Sequence, residues 1–213
     1  EAQVWIDKAK QTKNHPNQSN EIKLVQAQIY QRNKQPDEAI KLATEAFTAS
    51  PSKYQFKQLL VFANQQGINA EVITVQAEHA LIEKFNNKKT HYFGNIGNEN
   101  LIDFYLYTEQ NNKLFHFVKQ QIVKQQQINT EQLFLVADLL LESEAHTAFD
   151  YFLVVISEEI SLLQPKHYDQ ALTRLASIQD SIQRFESSEY EDSFHTLLFL
   201  IKESFGRKRN LMK

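Results

Sequence analysis

Three acid–histidine pairs stand one helical turn apart: Asp192 with His195, Glu142 with His146, and His79 with Glu83. Residues three or four apart on a helix share a face, so each pair offers one carboxylate and one imidazole to a metal ion or a proton transfer. Two ligands do not make a metal centre. A di-iron site in a helical bundle gathers several carboxylates and histidines from different helices, and no matching second motif accompanies these pairs. Ordinary surface pairing is the simpler reading. The sequence also lacks a His-Glu-x-x-His motif, a glycine-rich phosphate loop and a nucleophile elbow. No catalytic residue, cofactor or metal ligand is therefore assigned.

Two further features have chemical potential. Asp138 is an acid within the strongly apolar stretch Leu133 to Leu141. As a functional group it would be a general base with a perturbed pKa; as a structural one it lies on a narrow polar stripe or is hydrogen-bonded to a neighbouring helix, and the second reading is preferred. Lys202 precedes a basic terminus in which Arg207, Lys208, Arg209 and Lys213 lie within the nine residues from Phe205. Such a run is a candidate contact patch for phosphate or an acidic partner. Equally, cations at a helix C-terminus offset its dipole.

The elements that must position these groups are helical. The chain has 213 residues, 42% apolar and 11% aromatic, enough for a sizeable core in one elongated domain or two small ones. Only 4 Gly and 4 Pro punctuate it, too few for a turn-rich sheet protein. With 23 Lys and Arg against 26 Asp and Glu, no global field draws it to nucleic acid or anionic lipid. The absence of cysteine removes disulfides and thiolate metal sites, and is compatible with a reducing cytoplasm. The longest apolar runs, Leu133 to Ala137 and Tyr151 to Ile156, fall far short of the roughly 20 residues that span a membrane. A soluble, cytoplasmic protein without membrane contact is expected.

Residues Asn20 to Lys53 form the clearest unit. Ala27, Ala39 and Ala46, the aromatic Tyr30 and the closing Pro51 occupy the small, aromatic and proline positions of the roughly 34-residue tetratricopeptide repeat frame. Two helices approach closely only where small side chains meet, so Ala27 should face Ala39 or Ala43, with Tyr30 and Phe47 filling the space beside them. Gln35-Pro36-Asp37 and Ser50-Pro51 mark helix starts. A second, degenerate repeat follows. Its first helix carries Tyr54, Leu59, Leu60, Phe62 and Ala63 and is closed by Gly67; its partner runs from Val72 through Val75, Ala77 and Ala80 to Phe85.

Further helices are expected over residues 2–13, 101–108, 114–123, 133–141 (capped by Asn129-Thr130), 145–163 and 165–185. The last runs to about Phe205 and begins at a capping box of Ser188 with Glu191. Asn111-Asn112 reads as a turn. The predicted fold is all-α: antiparallel hairpins stacked as an irregular, tetratricopeptide-like solenoid of ten or eleven helices. The predicted organisation is a repeat region over 1–87, a connecting loop over 88–98 with His91, Tyr92 and Phe93 as anchors, and hairpins over 99–213 packed on the first half. Within the second half, the helices around Leu133 and Tyr151 should be central, being apolar on most of their circumference. Glu1 in place of methionine, with Val4, Trp5 and Ala9 at helical spacing, suggests a start inside a longer polypeptide.

Three segments also resemble a known family. AIKLATEAFTASPSKY, Ala39 to Tyr54, together with HYDQALTRL, His167 to Leu175, and FGRKRNLM, Phe205 to Met212, is similar to the C-terminal helical region of bacterial SWIM zinc-finger proteins. The resemblance implies that the family's Cys-x-Cys and Cys-x-His zinc module lies upstream, because this chain has no cysteine to supply it. It further implies a helical interaction and scaffolding arm, whose partner is another protein or the upstream part of its own chain. Nucleic acid would be bound only by the full-length protein. The alternatives are a module that contacts nucleic acid with the zinc domain, and an enzyme or carrier with a pocket near Asn86 to Asn98.

Overall fold

The computed structural model describes residues 16–49, 51–86, 96–185 and 187–205. Ten helices and no strand occur among the described residues: α1 (Pro16–Arg32), α2 (Pro36–Ala49), α3 (Lys53–Gln65), α4 (Ala70–Asn86), α5 (Ile96–Tyr107), α6 (Asn111–Val123), α7 (Thr130–Leu140), α8 (Ala145–Ser161), α9 (Pro165–Ile182) and α10 (Ser188–Phe205). The fold is all-α. The expected helix over residues 2–13, His91, Tyr92 and Phe93 of the loop, and Arg207, Lys208 and Arg209 lie outside the described residues.

Helix starts follow local chemistry. Pro36 opens α2 with Asp37 and Glu38 in its first turn, and Pro165 opens α9. The Ser52 side chain accepts the Gln55 N–H at the head of α3, and Asn129 accepts from Glu131 and Gln132 at the head of α7. The last start differs from expectation by one residue. Ser187, rather than Ser188, accepts the Glu189 N–H at 3.3 Å, and Ser188 is already helical.

The chain divides into two compact units, Glu1–Gln110 and Asn111–Lys213. The division falls after α5, some distance beyond the predicted 88–98 loop. Ile96 already begins α5, and α5 packs on α4 and α3, so it belongs with the first unit. Asn111-Asn112 is the start of α6, not a turn; the turn before it is made by Thr108 to Gln110.

In the first unit, α1 and α2 make the most extensive contact, and Ala27, Ala39, Ala43 and Ala46 have no exposed surface. Alanine at these positions lets the two backbones approach. Tyr30, expected beside them, is only half-buried, as is Pro51. The degenerate second repeat buries part of the set expected for it. Leu59, Ala63, Ala77 and Leu81 are buried, whereas Leu60 and Ala80 are intermediate and Tyr54, Val72 and Val75 are exposed.

In the second unit, α8 is central, packing against α7, α9 and α10. Phe152, Val155 and Ile156 on α8 and Val136, Ala137 and Leu140 on α7 are fully buried. Leu172 on α9 is exposed.

Candidate interaction surfaces

Two of the three acid–histidine pairs separate once tertiary packing is fixed, and the third lies exposed on one helix. Asp192 lines a groove between α8 and α10, while His195 lines the neighbouring groove between α9 and α10. Glu142 lies in the turn before α8, so it does not share a helix with His146. His79 and Glu83 are exposed on α4. Among the described residues no three His, Asp or Glu side chains converge on a point that would hold a metal ion.

Asp138 is engaged structurally. Ser181 Oγ donates to its Oδ1 at 2.6 Å, and Arg184 Nη2 donates to the same oxygen at 3.1 Å, tying α7 to the end of α9. The carboxylate is thus hydrogen-bonded to a neighbouring helix, as its apolar setting predicted.

A denser network lies at α9. Arg174 donates through Nε to Glu159 Oε1 at 2.5 Å and through Nη2 to Glu131 Oε2 at 2.7 Å, with its guanidinium 4.7 Å from the centre of the Phe134 ring. One cation so joins α7, α8 and α9. Glu159 is almost wholly buried, and its Oε2 has no hydrogen-bond partner among the described residues. Glu131, Phe134 and Arg174 border a groove of about 640 Å³ between α7 and α9, where Glu131 and Asp169 are matched by Lys166 and Arg174.

The α8–α10 groove is different in kind. It measures about 490 Å³, is floored by Phe149, Leu153, Leu197 and Leu200, and is edged by Asp150, Glu189 and Asp192. Among the described residues no lysine or arginine lines it. His146 stands at one side, its Nε2 4.0 Å from Glu189 Oε1, and both side chains are well exposed. The start of α10 is fixed here by Tyr190, whose hydroxyl donates to Leu141 O at 2.8 Å and whose ring stacks on Phe185 at 4.6 Å. The start of α8 is fixed by Glu144, which accepts from Lys119 at 2.6 and 2.8 Å and from Thr147 at 3.1 Å. Those hydrogen bonds hold the Glu144 carboxyl below its ordinary range. Beside the groove, burial raises the Tyr151 hydroxyl, and the fields of Glu144 and Asp150 raise it further.

The first unit has no comparable opening at its aromatic cluster. Phe56 sits 5.8 Å from Phe47, 5.1 Å from Phe104 and 5.7 Å from Tyr107, leaving about 20 Å³ of space. Lys53 and Lys57 lie over the Tyr107 ring at 5.0 and 5.6 Å. The buried Glu78 accepts from Tyr105 at 3.1 Å; burial and the Glu78 charge push the Tyr105 hydroxyl far above its ordinary value.

Lys202, the described member of the predicted basic patch, is exposed in the last turn of α10. The sequence reading did not find Asp150, Glu189, Arg174, Glu159 or Glu131. A period of three and four along α10, from Glu189 through Asp192, Ser193 and Thr196 to Leu200, was the available signal for one side of the groove. The other side comes from a helix about 40 residues earlier in the chain.

No helix of the described residues is long and apolar enough to cross a membrane. No protein-family model matches the chain, and no curated protein matches it either.

Proposed function

We propose that this chain is a non-enzymatic helical-repeat scaffold that binds a protein partner, or an upstream part of its own polypeptide, along its helix surfaces. The observation behind this reading is the direction of the helices in the first unit. Gln66, just past α3, donates to Pro36 O at the head of α2, so these helices run oppositely; Lys84, near the end of α4, donates to Thr48 O and Ala49 O at the end of α2, so α2 and α4 run alike. Hairpins that repeat one direction every second helix are the arrangement that tetratricopeptide-like solenoids use, and such stacks present extended binding surfaces. Val75 on α4 and Leu200 on α10 are exposed apolar side chains that a partner protein would cover.

In this proposal the chain acts in the cytoplasm as the C-terminal arm of a larger SWIM zinc-finger protein, needing no cofactor of its own. A Cys-x-Cys followed by Cys-x-His in the longer polypeptide would support that placement, and a full-length sequence without it would remove it. The interaction itself is tested by capture on the immobilised chain and on its Val75→Glu and Leu200→Glu variants. A partner kept by the parent chain and lost by one variant is the expected result. Identical capture by the parent, both variants and bare matrix would sink the proposal.

A second reading rests on the basic sequence from Arg207 to Arg209, which Lys202 extends onto α10. There the full-length protein contacts nucleic acid, and its affinity must fall steeply as salt rises. Salt-independent binding would leave this reading without support.

A further inference from the structure

We infer that the α8–α10 groove receives a cationic, leucine-bearing helix or strand of a protein partner. This deepens the interaction proposal above and rests on it. Three observations lead there. The floor is apolar, with Phe149, Leu153, Leu197 and Leu200 lying along two packed helices, which is the form of a groove that accepts apolar anchors at helical spacing. Its volume of about 490 Å³ is that of a formed binding cleft. Its edges carry Asp150, Glu189 and Asp192, with His146 at one side and no lysine or arginine among the described lining residues.

The neighbouring α7–α9 groove makes the charge informative. There two carboxylates face two cations, and Arg174 is already committed to Glu131 and Glu159. The acidity of the α8–α10 groove is therefore local. Carboxylates of one sign along a low-dielectric cleft focus its potential, favouring lysine and arginine and rejecting phosphate. Nucleic acid is thus excluded from this groove whatever the basic terminus binds. A partner with apolar residues every third or fourth position and cations between them satisfies floor and edge together.

The test is fluorescence anisotropy at low ionic strength with the full chain and three capped helical peptides. Each has leucine at every third or fourth position; the remaining positions are lysine, glutamine or glutamate. The lysine peptide should bind most tightly, and the Asp150→Asn/Asp192→Asn variant should weaken it by about tenfold or more. Asp169→Asn, the same charge change in the other groove, should leave its affinity unchanged. Equal binding of lysine and glutamine peptides, unaffected by the double variant, overturns the cationic occupant and leaves the scaffold reading standing. Failure of all three peptides, joined to the empty capture described above, overturns both. Tighter lysine-peptide binding after deletion of residues 206–213 would make the chain's own basic terminus the occupant and overturn the partner version. Concentration-dependent self-association abolished by the double variant would overturn it in favour of a second copy.

Discussion

The two units close on different materials. Between α1 and α2, the first unit packs alanine on alanine: Ala27, Ala39, Ala43 and Ala46 have no exposed surface, and the cavity beside its aromatic cluster is about 20 Å³. The second unit instead packs Phe152, Ile156 and Leu140 around α8, fastens three helices with one buried ion network, and leaves open grooves of about 490 to 700 Å³ along its helix pairs. Small residues bring backbones together and leave no room at the seam. Large side chains hold helices further apart, so that their outer flanks form clefts.

The largest expected effect breaks the second unit at its ion network. Arg174→Met strands Glu159, whose side chain is 6% exposed and whose Oε2 already lacks a partner among the described residues. An uncompensated buried carboxylate of this kind costs about 3–5 kcal/mol in urea unfolding. Replacing both partners, Arg174→Met with Glu159→Leu, should restore most of that loss, because apolar groups of similar volume remove the desolvation cost as well as the attraction. A double variant as unstable as the single one would show that the network contributes through Glu131 and Phe134 instead.

Next in size is the alanine seam. Ala43→Leu adds three carbons where no space exists and should cost about 1–3 kcal/mol, confined to the first unit. The converse change, Leu140→Ala on α7, removes volume from the second unit and should cost about 2–5 kcal/mol through the cavity it leaves. If Ala43→Leu is neutral, the helices α1 and α2 can separate and the contrast between the units fails.

These residues also show where sequence reasoning reached and where it stopped. The alanines of α1 and α2, the Pro36, Pro165 and Asn129 starts, and the central α8 were legible because each is signalled within a few residues of chain. Asp138 was legible too: an acid in so apolar a helix needs a partner, and Ser181 and Arg184 supply it. The α8–α10 groove was not. Helical spacing paired Asp192 with His195, but the packing of α10 between two neighbours sends them to different grooves and sets Asp192 with Asp150. Arg174 meets Glu159 and Glu131 across 15 and 43 residues, a pairing no local pattern encodes. In the second repeat Leu59, Ala63 and Ala77 are buried as their spacing suggests, whereas Val72 and Val75, which the same spacing included, are exposed.

The smallest effects concern helix ends, where the units differ least and the sequence was hardest to read. Gly67 was recognised as a left-handed cap, and its φ is +69°, with Gly67 N–H bound to Asn64 O and Ile68 N–H to Ala63 O in a full Schellman motif. The same paired bonds close α1 at Lys34, α5 at Glu109 and α6 at Gln125, with φ of 59°, 55° and 54°, and Leu163 takes φ 57° after α8. None of these side chains announces a left-handed cap, which is why the turn before α6 was misplaced, whereas Pro36 and Pro165 marked the turns after α1 and α8 from the far side. A left-handed residue with a Cβ stores about 1–2 kcal/mol, and glycine returns part of that gain as unfolded-chain entropy. Lys34→Gly in the first unit and Gln125→Gly in the second should therefore each stabilise their unit by about 0.5–1 kcal/mol in urea unfolding. Gly67→Ala should lose a similar amount through backbone strain alone, since a Cβ there meets nothing within 4 Å. Because the cost resides in φ and not in packing, the gains should be equal in the alanine-packed and the leucine-packed unit. A gain in one unit only would mean that the helix ends, like the cores, are held differently in the two.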